Sequence, residues 1–556
     1  MQQMQDNSTK NIILAIVLCL VVVFGWSSLA QYMGWIPAPD PKLVAEQEEL
    51  AKQQAQEEAK RKAEADREAL LPTFTPSEGK NLTVETPLYT AVLYSGGGAL
   101  RSFALKNYRM SLEPNAPLVN IVSERASAVA PLGLVINSQP SWSTGKWALE
   151  SGMDQDLQLQ IAQKGKISLR GEVDGLSVQR HFTFSADTYL LEEELVLVNL
   201  SEQSRTIRLA YTVAADSRNA GGDRYDVMRV AWDNNGSLDE ESSFDTLTQQ
   251  GRMESGRMIW AGAMSNYFLA AVLPENPDNS VMKGRAQNTV YRAALEQPDL
   301  VLGGKESRRL KVRYWFGPKD RKQLLAVSED LAKSVDLGMF SLIAKGLLWI
   351  LQNFYDLVHN WGIAIIMLTF VIKALFWPLT AKSYASMEKM KKLQPLMVEI
   401  REKYKDDKEQ MNKEVMNLYK TYGVNPASGC VPILVQLPVF FGLYQALLTF
   451  IELRHAALIP TLPGTDMLWL ADLSSKDPLY ITPIIMGVTM VIQQKMSPPA
   501  NDPMQRKIMM FLPIIFTFLF LGFPSGLVIY WLVNNVLSIF QQWLMMRKNK
   551  KKPASA

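Results

Sequence analysis

One lysine in the middle of an otherwise uncharged segment is the residue whose type and position most need a chemical explanation. Lys373 is the single charged residue between Trp361 and Thr380. It precedes the charged boundary at Lys382 by nine residues, which is about 13 Å along a helix. A cation at that depth in a bilayer costs roughly 2.5 to 3.5 kcal/mol and usually faces protein or water. Either its side chain extends to the lipid headgroups, or it lies in a wet cavity between helices.

Other polar residues in the same third of the chain favour the cavity. One polar side chain per helix is enough for simple interhelical hydrogen bonding. Polar faces on four helices of a small bundle are better explained by a shared hydrophilic groove. The candidate groove residues besides Lys373 recur at helical spacing or lie singly in apolar segments: Thr369, Gln436, Gln493, Trp531, Asn534 and Asn535.

Methionines form a second candidate set, because they cluster in the charged segment after Lys373 and in a short loop further along the chain. Flexible, polarisable thioether side chains pack against varied apolar sequences, which suits a surface that binds diverse hydrophobic segments. The alternative is that they fill the seam between two helices of the charged segment. The candidate contact residues are Met387, Met390, Met397, Met496 and Met504.

Residue types that support most enzyme mechanisms are scarce. Cys19 and Cys430 lie far apart in apolar segments, so the sequence has no disulfide framework and no CxxC zinc motif. His181, His359 and His455 lie singly in unrelated segments, which disfavours a histidine metal centre or a paired-histidine catalyst. No GxxxxGK[ST] or GxGxxG motif occurs. We therefore expect neither an enzyme nor a resident metal or cofactor.

Whole-chain averages conceal segments of very different character. The 556 residues include 58 Lys and Arg against 55 Asp and Glu, and the mean hydropathy of −0.03 is typical of a soluble protein. Residues Ile12–Met33 are nevertheless uncharged and long enough to cross a bilayer core of about 30 Å. We predict an N-terminal transmembrane anchor at 1–36. The alternative is a cleaved signal peptide, because Ser28–Ala30 resembles a cleavage site.

Two segments without membrane character follow the anchor. Residues 37–71 are rich in Glu, Gln, Lys, Arg and Ala, which is typical of a charged linker. Residues 72–335 contain short runs of period-two alternation, such as Tyr89–Tyr94 and Leu310–Trp315, separated by Gly, Pro, Asn and Asp. This pattern predicts a large all-β domain, and its lack of obvious acid–base pairs favours a structural or binding role.

The last third alternates between amphipathic, apolar and charged segments. It predicts an interfacial amphipathic helix at 336–358 and a helical hairpin at 382–422. Pro524 and Gly526 divide the final apolar run into two spans. The predicted architecture is a multi-domain membrane protein with six transmembrane helices, an anchor and a five-helix core, at 1–36, 359–381, 423–452, 478–495, 508–523 and 524–547. Loops at 453–477 and 496–507 and a basic tail at 548–556 complete the chain.

The distribution of Lys and Arg predicts the orientation of these helices. Residues 382–422 contain ten of them, whereas the loop at 453–477 has only Arg454 and Lys476. By the positive-inside rule the hairpin, the 496–507 loop and both termini are cytoplasmic. One span then places the β domain outside, and five more return the C-terminus to the inside.

Three motifs in the membrane segments closely resemble the YidC membrane-protein insertases of Gram-negative bacteria. They are Asn425–Cys430 at the start of the third span, Gln494–Pro498 with Asp502–Gln505 around the short loop, and Phe523–Leu527 before the last span. The order of segments is similar over essentially the whole chain. The resemblance implies an inner-membrane protein with a periplasmic β-supersandwich and a five-helix core, whose hydrophilic groove opens to the cytoplasm and to lipid.

The resemblance also implies roles for candidate residues. The family's groove charge is commonly arginine; Lys373 at the matching position keeps the charge but lacks the planar guanidinium. Thr369 matches a groove threonine, and Trp531 matches an aromatic residue on the last helix. The implied function is insertion and folding of nascent membrane proteins, alone or with the Sec translocon; the ribosome and anionic lipids are further expected partners. A secondary transporter and an anchored periplasmic chaperone are the alternatives.

Overall fold

The computed structural model describes residues 78–550, except 151, 153–154, 220–225, 406, 425–430 and 497–502. The predicted N-terminal anchor and charged linker therefore lie outside the described residues. Strands dominate the chain up to residue 318, and helices follow. The predicted combination of a β domain and a helical membrane part is confirmed at this level.

The β domain contains the strands β1 to β22 within the described residues. Their bounds are β1 Asn81–Glu85, β2 Tyr89–Tyr94, β3 Ala99–Arg109, β4 Leu118–Asn120, β5 Leu134–Ile136, β6 Gln139–Pro140, β7 Lys146–Leu149, β8 Leu157–Gln158, β9 Lys164–Val173, β10 Leu176–Ser185, β11 Leu190–Asn199, β12 Arg205–Ile207, β13 Leu209–Asp216, β14 Arg229–Asn234, β15 Ser237–Glu241, β16 Arg252–Gly256, β17 Met258–Met264, β18 Phe268–Pro274, β19 Ser280–Gln287, β20 Val290–Glu296, β21 Leu300–Leu302 and β22 Ser307–Pro318.

These strands form four sheets in the described part of the chain. The largest has nine strands in the order β15-β14-β17-β18-β22-β11-β10-β9-β7, and a six-stranded sheet has the order β16-β19-β20-β13-β5-β6. The others are β4-β3-β2-β1-β8 and the pair β12-β21. The pairings are antiparallel apart from that of β1 with β8. The predicted sandwich is supported by β13 and β18, which belong to different sheets and are buried along their whole lengths, as expected for strands covered on both faces.

A buried ion pair fixes three parts of the β domain to one another. The Arg180 Nε lies 2.5 Å from the Glu193 Oε1, and both side chains are fully buried. The Arg180 guanidinium also donates to the carbonyls of Gly97 and Leu132, each at 2.7 Å. The Tyr314 hydroxyl donates to the Glu193 Oε2 at 2.9 Å. Buried charges are tolerated when they are paired and hydrogen-bonded in this way.

The helices carry the remaining described chain. Four short ones belong to the β domain and seven longer ones follow: α1 Glu124–Ser127, α2 Phe244–Gln249, α3 Arg321–Val327, α4 Glu329–Ala332, α5 Ser341–Val358, α6 Trp361–Lys403, α7 Lys408–Thr421, α8 Val431–Thr449, α9 Ile481–Met496, α10 Pro503–Phe520 and α11 Ser525–Lys550. A core of Leu, Ile, Val and aromatic residues joins α5, α6, α8, α9, α10 and α11.

Helix α6 is longer than the sequence pattern suggested. The second predicted span and the first arm of the predicted hairpin form one helix of 43 residues, which continues through Pro378 and Pro395. The second arm is α7, which begins at Lys408. Met397 contacts Tyr419 across these two helices, with 3.6 Å between the Met397 Sδ and the Tyr419 hydroxyl.

Two described helices, Trp361–Lys403 and Ser525–Arg547, are long and apolar enough to cross a bilayer. Val435–Thr449 and Met509–Phe520 are shorter apolar helices. The tight turn at Phe520–Ser525 separates α10 from α11, where Pro524 and Gly526 predicted a break. The count of six spans remains a prediction.

The loop between α8 and α9 supports the start of α11. Asp472 accepts hydrogen bonds from the hydroxyls of Ser474 and Ser475, and its backbone carbonyl accepts one from Ser525 at 3.0 Å. The Ser525 N–H donates to the Ser475 carbonyl at 2.7 Å. Because Ser525 begins α11, these bonds fix where the last helix starts.

Candidate functional site

Lys373 lies on the face of α6 that packs against the other helices. Its side chain is 5% exposed, and Thr369, one turn earlier, is 1% exposed. The Thr369 hydroxyl donates to the Ile365 carbonyl of its own helix at 2.7 Å. Thr369 therefore lines the same buried face as Lys373, while its single hydroxyl proton is used within α6.

Helix α11 supplies the described partners of Lys373. The Lys373 Nζ lies 2.5 Å from the Ser538 Oγ and 3.5 Å from the Asn534 Oδ1. Among the residues that the structure describes, no carboxylate forms an ion pair with Lys373. The buried ammonium thus faces neutral oxygens, and a lipid-exposed or headgroup-directed orientation does not fit its burial.

Tyr384 extends this network to a third helix. Its hydroxyl is hydrogen-bonded to the side chains of Ser538 and Gln493. Tyr384 follows Lys373 by eleven residues, which is three helical turns, so both side chains lie on one face of α6. Gln493 belongs to α9. The network therefore joins α6, α9 and α11.

Sequence reasoning missed Ser538 and Tyr384. Ser538 follows Asn534 by four residues and Trp531 by seven, so it continues the predicted face of the last helix. The eleven-residue spacing from Lys373 was the corresponding signal for Tyr384. Both residues lie on helix faces that were already predicted to be polar, Ser538 one turn beyond Asn534 and Tyr384 three turns beyond Lys373.

The polar stripe of α11 continues towards the C-terminus of the chain. The Asn535 Nδ2 donates to the Thr489 hydroxyl at 3.3 Å, between α11 and α9. The Gln541 Nε2 donates to the Thr380 hydroxyl at 2.7 Å, between α11 and α6. The Gln542 Nε2 donates to the Met496 carbonyl at 3.0 Å. These four side chains and Gln542 are buried, so α11 presents polar groups to both neighbouring helices over two to three turns.

Trp531 and Gln436 occupy a more apolar environment. The Trp531 ring packs against Phe440, Phe516 and Phe520, with centroid distances of 4.9, 6.2 and 5.3 Å. Gln436 is half-buried and lies one turn before Phe440 on α8. An aromatic cluster between α8, α10 and α11 therefore lies next to the polar stripe, and the described hydrogen bonds of Lys373 do not include Trp531 or Gln436.

The candidate methionines divide into two groups. Met397 is 2% exposed and fills the seam between α6 and α7. This placement agrees with the alternative that the methionines pack between two helices of the charged segment. Met387, Met390 and Met496 are half-buried and have side-chain surface open to contact. Met504 lies on α10, and its side chain is outside the described residues.

The titratable groups of the described chain do not form a metal site. No group of three or more His, Cys, Asp or Glu side chains in the described ranges is arranged to hold a metal ion. What the helices bring together is instead one cation with amides and hydroxyls, which can attract an anion and accept or donate hydrogen bonds.

Comparison with known proteins identifies the family. Residues 81–350 match the family model described as the YidC periplasmic domain, and residues 353–552 match that of the 60Kd inner membrane protein. The membrane protein insertase YidC of Nitratidesulfovibrio vulgaris is 52% identical over 97% of this chain and 99% of its own. The chain belongs to the YidC family.

The relationship extends to YidC proteins from other bacteria. The YidC of Lawsonia intracellularis is 49% identical over 97% of this chain and 99% of its own. A solved structure titled an active YidC insertase with the first transmembrane domain resolved is 18% identical, with a TM-score of 0.36, and covers 86% of this chain and 96% of that one. YidC proteins are insertases and not enzymes, and this chain is an inner-membrane insertase with a periplasmic domain. The comparisons support the insertase function over the transporter and periplasmic-chaperone alternatives.

Proposed function

We propose that the chain inserts nascent membrane proteins through a polar groove between α6, α9 and α11, in which Lys373 supplies a single positive charge. The observation that supports the groove is the buried Lys373 ammonium, whose described partners on α11, Asn534 and Ser538, are neutral. A buried cation without a paired carboxylate is costly and favours any anion that enters. An acidic or carboxyl-bearing tail of a client protein has this chemistry.

The client's apolar segment docks beside the groove, on α8 and α10. These helices have exposed apolar side chains, among them Phe441 at 47% on α8 and Phe518 at 71% on α10. The polar tail enters the groove while the apolar segment remains in lipid. Amides of Gln436, Gln493, Asn534 and Asn535 replace water that the tail loses, which limits the cost of burying its backbone.

Short helices reduce the distance that the tail must cross. Helix α9 has 16 residues and is about 24 Å long, which is less than a typical hydrocarbon core. Mismatch of this kind is relieved in part by local thinning of the bilayer. Release of the client into lipid is then downhill, because each buried CH₂ contributes about 0.8 kcal/mol. The mechanism needs no nucleotide.

The cytoplasmic face receives the client before insertion. Met387, Met390 and Met496 are half-buried at the cytoplasmic end of the proposed groove, and Met504 lies in the first turn of α10. Thioether side chains adapt to different apolar sequences. Met397 has a different role, because it packs within the helical hairpin.

The proposed topology is multi-pass with six spans and both termini in the cytoplasm. It is supported by the excess of Lys and Arg in 382–422 and in the C-terminal tail. The basic tail at 548–556 binds anionic lipid or ribosomal RNA through the same charges. The Sec translocon is a further proposed partner.

Reconstitution tests the groove directly. The purified chain is placed in lipid vesicles without ATP, and a labelled single-span client with either three Asp or three Asn residues in its tail is added. Protease protection of the tail reports insertion. We expect Lys373→Ala to slow the acidic client roughly tenfold more than the neutral client. Equal slowing of both clients would exclude the electrostatic role of Lys373.

A further inference from the structure

The hydroxyl of Ser538 has all its hydrogen-bonding capacity in use. It donates its proton to the Asn534 carbonyl at 2.7 Å within α11. A hydroxyl has one proton and two acceptor lone pairs. A lone pair therefore accepts from the Lys373 ammonium at 2.5 Å, and the Tyr384 hydroxyl is a further contact of the same group. Ser538 is 4% exposed, so water does not compete freely for these positions.

Tyr384 makes a further contact with the same serine. Its hydroxyl is hydrogen-bonded to the side chains of Ser538 on α11 and Gln493 on α9. The Lys373 ammonium donates to the Ser538 oxygen from α6. Three helices thus hold one serine oxygen at the position where the ammonium lies.

We propose that Ser538, held by Tyr384, is a positioning residue that keeps the Lys373 ammonium against α11 until a client carboxylate displaces the serine. This inference rests on the proposed groove mechanism and deepens it. Lys373 leaves a neutral oxygen for an anionic one during the exchange, and Ser538 keeps its bond to Asn534.

The exchange gives the groove selectivity between clients. The bond from Lys373 to Ser538 has one charged partner, whereas a bond from Lys373 to a client carboxylate has two and adds the direct attraction between opposite charges. An acidic tail therefore competes successfully with Ser538, whereas a neutral tail, which offers only oxygens like that of serine, does not. Ser538 sets how strong an anion must be before Lys373 turns towards it.

Two variants separate this role from simple packing. Ser538→Ala removes the oxygen that holds the ammonium, and Ser538→Thr keeps a hydroxyl at that position. Full-length variants in vesicles are tested with the same acidic and neutral clients, and the ratio of the two insertion rates is measured. We expect Ser538→Ala to lower the acidic-to-neutral ratio roughly threefold to tenfold, because neutral tails no longer have to displace the serine, and Ser538→Thr to keep the wild-type ratio.

A second measurement reports on Lys373 itself. Without client, the rate at which an amine-reactive reagent acylates Lys373 is followed by mass spectrometry of the peptide that contains it. We expect faster acylation in Ser538→Ala and in Tyr384→Phe than in the wild type, and an unchanged rate in the control Tyr422→Phe, which alters an exposed tyrosine in the cytoplasmic hairpin region. General loosening of the helical bundle would change the insertion rates of both clients by the same factor and leave their ratio unchanged.

The outcomes distinguish this inference from the groove mechanism. If Lys373→Ala abolishes the preference for the acidic client while Ser538→Ala leaves both the ratio and the acylation rate at wild-type values, the groove charge stands and the positioning role of Ser538 is wrong. If Lys373→Ala slows both clients equally, the groove mechanism itself fails. A lowered ratio with faster acylation in Ser538→Ala supports both.

Discussion

Arg454, in the loop between α8 and α9, donates a hydrogen bond of 2.6 Å to the backbone carbonyl of Arg109, at the end of β3. The Arg454 guanidinium also lies 5.5 Å from the ring centroid of Phe268, a buried residue of β18. The two arginines are 345 positions apart in the chain. This contact ties the β domain to the loop that fixes the start of α11.

Replacing Arg454 should free this loop from the β domain. Arg454→Met keeps an aliphatic stem against Phe268 but removes the donor to Arg109. We expect amide hydrogen exchange in residues 453–477 to accelerate roughly tenfold, because a hydrogen bond from a charged donor contributes about 1.5 to 3 kcal/mol. Exchange in β10 and β11 should not change. Arg257→Met, which removes an exposed ion pair to Asp278, is the matched control. If amide exchange in residues 453–477 were the same in both variants, the prediction would be contradicted.

The buried pair of Arg180 and Glu193 should be asymmetric in its response to mutation. Arg180→Met leaves a buried carboxylate and several backbone carbonyls without their donor, and we expect a loss of about 3 to 5 kcal/mol. Changing both residues to methionine should cost less than the sum of the single changes by roughly 1 kcal/mol or more. Hydrogen exchange of β10 and β11 is followed across a urea series in the detergent-solubilised chain. It measures the loss of stability in the single variants and in the double variant. Additive losses would mean that the two groups do not interact.

A partly buried carboxyl in the β domain predicts a pH dependence. Burial raises the pKa of Asp226 from 3.8 to about 6, although its carboxylate accepts a hydrogen bond of 2.8 Å from the Asn266 N–H. A carboxyl whose pKa is raised on folding stabilises the domain fully below pH 3.8, and this contribution is lost as the pH rises through 6. Burial also lowers the pKa of Lys319 to about 7, which acts in the opposite direction.

Asp226→Asn removes the titrating carboxyl, while Lys319 stays in both proteins and loses only the attraction of the Asp226 carboxylate. The amide resembles a protonated carboxyl at every pH. We expect the variant to gain stability relative to the wild type between pH 4 and pH 7.5, by at most about 3 kcal/mol. Urea unfolding of the full chain, monitored by exchange in β18, measures the difference. A difference that is constant with pH would show that Asp226 does not titrate in this range.

Arginine should be able to replace the groove lysine. Lys373→Arg keeps the positive charge, and the neutral partners Asn534 and Ser538 can accept from a guanidinium as they do from an ammonium. We expect the preference for an acidic client to remain within roughly twofold of the wild type. Insertion rates of the acidic and neutral clients provide the measurement, with Lys345→Arg on α5 as a control. A loss of preference in Lys373→Arg alone would show that the shape of the cation matters as well as its charge.

The sequence by itself determined the segmentation of this chain. The alternation that predicted strands at Tyr89–Tyr94 and Leu310–Trp315, the uncharged runs that predicted helices, and the isolated Lys373 are all local features, and helix or strand formation follows the local period of apolar residues. The break at Pro524 and Gly526 was likewise visible because turn-forming residues act locally. Prediction was weaker for α6, which continues through two prolines because its neighbours pack along its length.

The tertiary structure decided which residues meet. Local periodicity predicted Asn534 on the groove face, but the rotation of α11 against α6 brings Ser538 closer to Lys373, from 165 positions away. The same packing encloses Met397 between α6 and α7 and joins Arg180 to Glu193 through the fold of the β domain. Such pairings depend on how helices rotate and strands pack across long sequence separations. Many contacts together set that rotation and packing, and a local sequence pattern does not contain them.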